Sequence, residues 1–209
     1  MRPLQEQGLV LRILNEVLLP LKLLIPQPII AKIPGLTTNE EIRIQEVLRH
    51  IPPMASCLDI GCGNNRLIQL HRARGGRGIG VDVYPWEGVD LIVKDSSLLP
   101  FEDQSFDCVT FIASLNHIPN RDAVLREAFR LLKRGGTVIL TTLDPLPSYL
   151  WHKWAFWDRD QHERGMQPGE VYGFKDEEIQ ELLSRAGFLV VQRRRFSWGL
   201  VKLYIAKKS

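Results

Sequence analysis

The sequence predicts an α/β fold built on a mostly parallel sheet. From residue 56 onward, short apolar runs alternate with segments of helical period. Gly61-Cys62-Gly63, Gly135-Gly136 and Gly187 punctuate the handovers between them. The length of 209 residues, 44% hydrophobic and 24% charged, suits one domain with a single buried core. In such sheets ligands bind beyond the carboxyl ends of the strands, so the loops after the strands are where function is sought.

The elements follow in order. Residues 1–36 are Leu- and Pro-rich and close at Pro34-Gly35, a turn signal. Within them, Leu9 to Ile25 is apolar but interrupted by Arg12, Glu16, Lys22 and Pro20. A membrane span needs roughly 20 mostly apolar residues, and a secretory signal needs an unbroken apolar core, so neither is read here. Thr38-Asn39-Glu40-Glu41 predicts a capping box opening a helix through about Ile51. Strands are expected over 56–60, 78–82, 91–93, 106–113 and 137–143. Helices are expected over 67–74 and 122–132, the second ended by Gly135-Gly136. The stretch 144–174 is aromatic and reads as loop. A helix over 176–185, closed by Gly187, precedes two last strands over 188–191 and 200–205.

Composition excludes some classes of function. A net charge of +3 does not suggest a nucleic-acid binder, in which basic residues cluster more heavily. Cys57, Cys62 and Cys108 form no metal or disulfide pattern. Unpaired thiols in apolar runs fit a reducing compartment, so a cytoplasmic protein is expected.

The strongest local signal is Leu58-Asp59-Ile60-Gly61-Cys62-Gly63-Asn64-Asn65, an apolar strand that ends in a glycine turn and runs into a helix. Glycines let the backbone approach a ligand closely. The helix start beyond them offers free N–H groups and a positive dipole end. The next strand, Gly80-Val81-Asp82-Val83, ends in an acid placed to accept both hydroxyls of a ribose. This geometry allows either a nicotinamide dinucleotide or S-adenosylmethionine. The dinucleotide fingerprint needs a third glycine where Arg66 stands, and a bulky cation does not suit that close packing, so S-adenosylmethionine is favoured.

Further motifs sharpen this. Asp59-Ile60-Gly61-Cys62-Gly63 resembles motif I of class I S-adenosylmethionine-dependent methyltransferases. The segment from Asp95-Ser96-Ser97 to Ser105-Phe106-Asp107 resembles the stretch after the third strand in the UbiE-like, type 11 group. Leu115-Asn116-His117-Ile118 and Arg126-Glu127-Ala128 through Gly135-Gly136 resemble that group's next loop and helix. The resemblance runs from about Cys57 to Leu143 in order and spacing.

It implies a Rossmann-like class I methyltransferase fold. That is a mostly parallel seven-stranded sheet, the last strand antiparallel, with helices on both faces. It implies S-adenosylmethionine as cofactor and S-adenosylhomocysteine as product. By matching position, Asp59, Gly61, Cys62 and Gly63 would surround the methionine part. Asp82 would hold the ribose and Val83 would pack on adenine. Asp95 and Ser96 would meet the adenine edge, and Ala113, Ser114 and His117 would lie near the sulfonium or the acceptor. Two departures stand out. Asn65 replaces a third glycine common in the group, and Asn tolerates left-handed backbone. Residues 83–94 are too few for a crossover helix plus a strand, so the connection between the second and third strands is shortened to a tight loop at Tyr84-Pro85-Trp86-Glu87-Gly88. Trp86 is read as a wall of the adenine pocket or as an ordinary packing aromatic.

Methyl transfer from a sulfonium is mainly a matter of alignment, so no catalytic signature is required. His117 is the candidate general base, with the alternative of a structural histidine in the cleft; His152 and His162 are further candidates. The aromatic insert carries Tyr149, Trp151, Trp154, Phe156 and Trp157. It is expected mostly to pack on the sheet, with one or two rings in an acceptor pocket. The N-terminal extension 1–36, with Arg12, Asn15 and Glu16 on one narrow face of Leu9–Leu19, is expected to cap that pocket; dimerisation and peripheral membrane contact are the alternatives. Residues 37–209 form the S-adenosylmethionine-binding domain, with the insert at 144–174. Arg193-Arg194-Arg195 reads as a solvated strand edge.

The expected activity is methyl transfer to a small-molecule or lipid-like acceptor, with oxygen as the expected atom and no nucleic acid as partner. The alternatives are a non-catalytic S-adenosylmethionine-binding protein, a methyltransferase acting on RNA or protein, and, disfavoured by Arg66, a nicotinamide-dependent oxidoreductase. Monomer and homodimer both stand open.

Overall fold

The computed structural model describes residues 25–33, 36–154 and 165–209. Most of the N-terminal extension, with Arg12, Asn15 and Glu16, lies outside the described residues. So do Phe156, Trp157 and His162, and the side chains of Trp151 and Trp154.

Seven strands form one sheet: β1 (Ser56–Ile60), β2 (Arg77–Asp82), β3 (Leu91–Ile92), β4 (Phe106–Ile112), β5 (Leu132–Leu143), β6 (Phe188–Phe196) and β7 (Val201–Lys208). Their order is β3-β2-β1-β4-β5-β7-β6. The pairs from β3 to β5 are parallel, and β7 runs antiparallel to both neighbours. Helices α1 (Gln27–Ile30), α2 (Asn39–Leu48), α3 (Arg66–Ala73), α4 (Arg121–Leu131), α5 (Pro145–Trp154) and α6 (Asp176–Arg185) surround it. The expected class and strand count are what the structure shows.

The period-2 alternation of the central strands divides the core into two layers. On one face Leu58, Ile60, Val109 and Phe111 pack with Val124, Leu125 and Ala128 of α4 and with Ile179 and Leu183 of α6. On the other face Cys57, Cys108 and Ile139 pack with Ile44 and Val47 of α2 and with Leu67 and Ile68 of α3. The cysteines are all free and buried, and they act as small core residues.

Several boundaries differ from those expected. Thr38 caps α2, its hydroxyl accepting from the Glu41 N–H at 3.1 Å. The reciprocal half of the capping box is replaced, because the Glu41 carboxylate accepts from Gln45 and Arg66. The helix ends at Leu48, short of Ile51, since Pro52 disfavours helical backbone in the residue before it. Strand β5 begins at Leu132 rather than Thr137. Gly135, with φ of +71°, sits inside an irregularity where Phe106 pairs with Leu132 but Cys108 pairs with Thr137. The glycine pair therefore bends a strand instead of ending a helix. The insert expected as loop opens with α5. Strands β6 and β7 run longer than expected, because each supplies the other's hydrogen bonds from Phe188 to Phe196. The edge arginines are exposed as expected, yet each meets a carboxylate: Arg193 with Asp176, Arg194 with Glu46, Arg195 with Asp144.

Lys202 on β7 has a fully buried side chain. Its Nζ donates to Asp144 Oδ1 at 2.6 Å and to the Phe174 carbonyl at 2.5 Å, and lies 3.3 Å from Asp176 Oδ1. Tyr204 donates to the same Asp176. Asp144 begins the insert and Phe174 ends it, so one buried cation ties both ends of the insert to the sheet. Burial works against both carboxylates, but Arg195 and Lys202 hold Asp144 below the usual range, and Tyr204 and Lys202 do so for Asp176. Among the described residues no helix is long and apolar enough to cross a membrane.

Removing one partner of a buried ion pair leaves the others uncompensated. Lys202→Met is expected to lower unfolding free energy by about 3 kcal/mol in denaturant titration. A loss below about 1 kcal/mol would show that the tie contributes no more than a surface pair.

Candidate active site

The glycine turn lies where strand order reverses, with β2 on one side of β1 and β4 on the other, the usual place for a ligand crevice. Gly61 has φ of +72°, and a Cβ there would lie 2.4 Å from Ser114 Cβ. Only glycine permits that approach. Gly63 has φ of +53°, and a Cβ built on it would meet nothing within 4 Å, so its backbone faces open space. Asn65, at φ of +61°, caps α3 in left-handed backbone, as expected for the residue replacing a glycine. Its Nδ2 donates to the Gly88 carbonyl at 2.8 Å.

That bond helps explain the short path from β2 to β3, which contains no helix. The loop is held at Gly88 by Asn65 and at Asp90 by Arg72 and the Gly80 N–H. Trp86 in this loop packs at a tilt against Tyr84, with ring centroids 4.4 Å apart, and lines the crevice.

The carboxylates expected to hold the cofactor converge here. Asp82 is buried; one oxygen accepts from the Gly63 N–H at 3.0 Å and the other from the Tyr84 N–H at 2.9 Å. Asp59 is buried beneath the turn and accepts from the Thr110 hydroxyl at 2.6 Å. Burial pushes its carboxyl up to about 7; the Thr110 bond opposes the shift and the Asp82 charge adds to it. Asp95 accepts from the Ser97 N–H and from Asn120, which hold it below the usual range. Cys62 is buried in the turn, and burial raises its thiol. Val83 is half-exposed and Ser96 buried, and both line the crevice. Ala113 has φ of +53° and donates to the Thr141 carbonyl. The Ser114 hydroxyl is given to the Ile60 carbonyl at 2.6 Å, so it braces β1 against β4 while its residue lines the crevice. All ten residues expected at the cofactor are thus brought to one place.

His117 stands in a 3-10 turn, Leu115–His117, directly after β4. Its Nδ1 lies 3.1 Å from Glu170 Oε2. The His152 ring lies 5.9 Å from His117 and 5.5 Å from Tyr172, which in turn is 5.1 Å from Tyr149. Sequence reasoning named His152 and Tyr149 but missed Glu170 and Tyr172. No local pattern marks either of them, and only the return of the insert brings them to the turn after β4.

The crevice opens into one cavity of about 1470 Å³. A pocket for one drug-sized ligand measures roughly 300–1,000 Å³, so the cavity has room for a cofactor and a second molecule. Ile44, Ile112, Leu143, Pro147, Leu150 and Val201 make part of the wall apolar, and Gln27, Pro28 and Ala31 of the N-terminal extension line it too. Among the described residues no cluster suited to a metal ion is found.

The residues fit S-adenosylmethionine. The backbone at Gly63 faces open space, as close approach of an amino-acid tail would require, and Asp82 stands at the tip of β2, where a ribose-binding acid would stand. The Asp82 and Asp95 carboxylates around the turn favour a cationic ligand and disfavour a pyrophosphate. Arg66 begins α3 and pairs with Glu41 at 3.3 Å, so a bulky ion pair stands where a dinucleotide site needs a glycine.

Fold and site together define a class I S-adenosylmethionine-dependent methyltransferase. A methyltransferase-domain family model matches residues 38–193, and the chain belongs to that family. It is 30% identical over 181 residues to the demethylmenaquinone methyltransferase of Staphylococcus aureus, covering 73% of this chain and 75% of that protein. It is 28% identical over 134 residues to the ubiquinone/menaquinone biosynthesis C-methyltransferase UbiE of Bartonella henselae, covering 57% of this chain and only 52% of that protein. Among solved structures, the putative methyltransferase of Haloferax volcanii, in complex with the Trm112 methyltransferase activator, superposes with a TM-score of 0.62 at 19% identity, covering 78% and 88% of the two chains. An S-adenosylmethionine-dependent methyltransferase of Thermotoga maritima superposes at 0.59 and 23%, covering 80% and 88%. These two similarities establish the shared fold.

Asp82→Ala is expected to weaken S-adenosylmethionine binding at least about tenfold, or 1.4 kcal/mol, in calorimetry. Unchanged affinity would count against the ribose role. Asp59 is raised from 3.8 to about 7, so its neutral form is favoured on folding and its stabilising effect is lost as pH rises through 7. Asp59→Asn is therefore expected to unfold at a higher temperature than the parent, ligand-free, at pH 8. The gap should shrink towards zero below pH 4, and the free-energy difference behind it at pH 8 is at most about 4 kcal/mol. A gap independent of pH would refute the assignment.

Proposed function

We propose that the enzyme methylates a ring carbon of a hydroxy-aromatic, quinol-type acceptor bearing an apolar tail. The observation that carries this reading is the cavity. Beyond the volume a cofactor needs, it continues along an apolar wall beside a histidine that contacts a buried carboxylate. The names of the two relatives, a demethylmenaquinone methyltransferase and a ubiquinone/menaquinone C-methyltransferase, support the same chemistry. The oxygen acceptor expected from the sequence finds no support in those names.

In this reading Gly61, Cys62 and Gly63 admit the methionine part of the cofactor. Asp82 holds the ribose, Val83 and Trp86 flank the base, and Asp95 and Ser96 meet its edge. Bound S-adenosylmethionine supplies an electrophilic methyl group on a sulfonium. An aromatic ring carbon is a weak nucleophile until the neighbouring hydroxyl loses its proton; the charge then spreads onto the ring. His117 takes that proton. The apolar wall excludes water, and the His152 ring, which lines the cavity beside His117, gives a planar acceptor a face to pack on. Gln27, Pro28 and Ala31 of the N-terminal extension line the same cavity, which supports the reading of the extension as a cap.

The test is methyl transfer from isotope-labelled cofactor to a short-tailed demethylated naphthoquinol, with the product's methyl located by NMR. A carbon-bound methyl is expected; an oxygen-bound one would overturn the reading. His117→Ala is expected to lower turnover by about 100-fold while cofactor affinity stays within about twofold. An unchanged rate would remove His117 as the base.

A further inference from the structure

The segment Gly169–Val171 is fastened to the turn that carries His117. The Val171 N–H donates to the Asn116 carbonyl at 3.0 Å. The Arg121 guanidinium donates to the same carbonyl at 3.2 Å and to the Gly169 carbonyl at 2.8 Å. Gly169 has φ of +88°, and a Cβ there would lie 2.9 Å from Pro119 Cβ, so the approach requires glycine. The Glu170 side chain is thereby fully buried, with Oε2 beside His117 Nδ1, while the His117 side chain keeps 18% of its surface exposed.

Burying a carboxylate is costly unless charged or donor groups meet it. Among the described residues, the His117 ring lies at hydrogen-bond distance from it, and Arg121, whose pKa burial lowers, is kept charged by Glu170 and Asp122. A carboxylate held at one nitrogen of an imidazole decides which nitrogen carries the proton.

We propose that Glu170 is a positioning residue for the reaction: its carboxylate accepts the Nδ1–H of His117 and so places the basic lone pair on Nε2 of a ring that lines the acceptor cavity. When the acceptor hydroxyl gives up its proton, the proton goes to Nε2 and the electron pair stays with the acceptor. The imidazolium then carries N–H on both nitrogens, and its charge is matched by Glu170, with Arg121 and the His152 ring also near among the described residues. Without Glu170 the ring falls back towards the Nε2–H form that free histidine prefers, in which the nitrogen serving the acceptor is already protonated. This inference rests on the reading of His117 as the base.

The experiment records the nitrogen chemical shifts of the His117 ring in the full chain near pH 8, together with kcat and cofactor affinity. The parent should show the Nδ1–H form, and Glu170→Ala should lose it. In that variant kcat should fall at least about tenfold while cofactor affinity stays within about twofold. Glu170→Gln, which keeps the shape and an accepting oxygen, should retain the Nδ1–H form and part of the rate. Its rise of kcat with pH should move to lower pH, because the imidazolium has lost its counter-charge. An Nε2–H ring in the parent overturns the inference, as does a Glu170→Gln pH profile that coincides with the parent's. If His117→Ala loses turnover but Glu170→Ala does not, the positioning role fails and the base stands. If His117→Ala turns over at the parent rate, the base fails and the positioning role falls with it.

Discussion

The close approach of Gly61 to Ser114 is the contact on which the cofactor side depends. Any side chain at position 61 would occupy the space of the Ser114 Cβ, and the Ser114 hydroxyl would lose its bond to the Ile60 carbonyl. That bond draws the tips of β1 and β4 together. Further down the same strands, Thr110 meets Asp59, and Ser56 meets Asp107 through both its N–H and its hydroxyl. With β1 held on that side, its glycine turn reaches the other way, and the Gly63 N–H meets Asp82 at the end of β2. The crevice is therefore set by three adjacent strands whose ends are tied side chain to backbone.

This arrangement gathers acidic groups at a cost. Asp82 is compensated by two backbone N–H groups, whereas Asp59 is buried against a single hydroxyl, and its ionisation is suppressed accordingly. A cationic ligand relieves that cost, so binding and stability are coupled in this site. The acceptor side follows a different logic. Part of the wall is apolar, and the long connection beside it is held by contacts between separate segments: His117 with Glu170, and, outside the cavity, Lys202 with Asp144 and Phe174. Lys202 anchors the insert at its two ends, and the Arg121 guanidinium with the Gly169 approach anchors it again near Glu170. A side chain such as Glu170 is thus held to the sheet more tightly than its place in a long connection suggests.

Much of this was legible in the residue order. The apolar runs marked the sheet, and the Gly61-Cys62-Gly63 turn with Asp82 beyond it marked the crevice. The shortage of residues between Asp82 and Asp95 foretold a loop in place of a helix. Asn65 was recognised as able to take left-handed backbone. The errors cluster where local pattern and pairing disagree. Gly135-Gly136 looks like a helix stop but lies in a strand, because Leu132 finds Phe106 as a partner before the glycines are reached. The arginine run is the solvated edge its sequence predicts, and what the residue order leaves out is that Glu46, Asp144 and Asp176 arrive from other elements to meet it.

The amino-acid sequence by itself determined the fold class, the cofactor turn and the carboxylate that faces it. Those features depend on residues close together in the chain, where period, glycine conformation and spacing act directly. Only the tertiary structure decided that Glu170 contacts His117, that Lys202 closes the insert, and that Asp59 is buried deeply enough to resist ionisation. Each of those depends on bringing together groups far apart in sequence and on removing them from water, and neither event leaves a mark on the local order of residues.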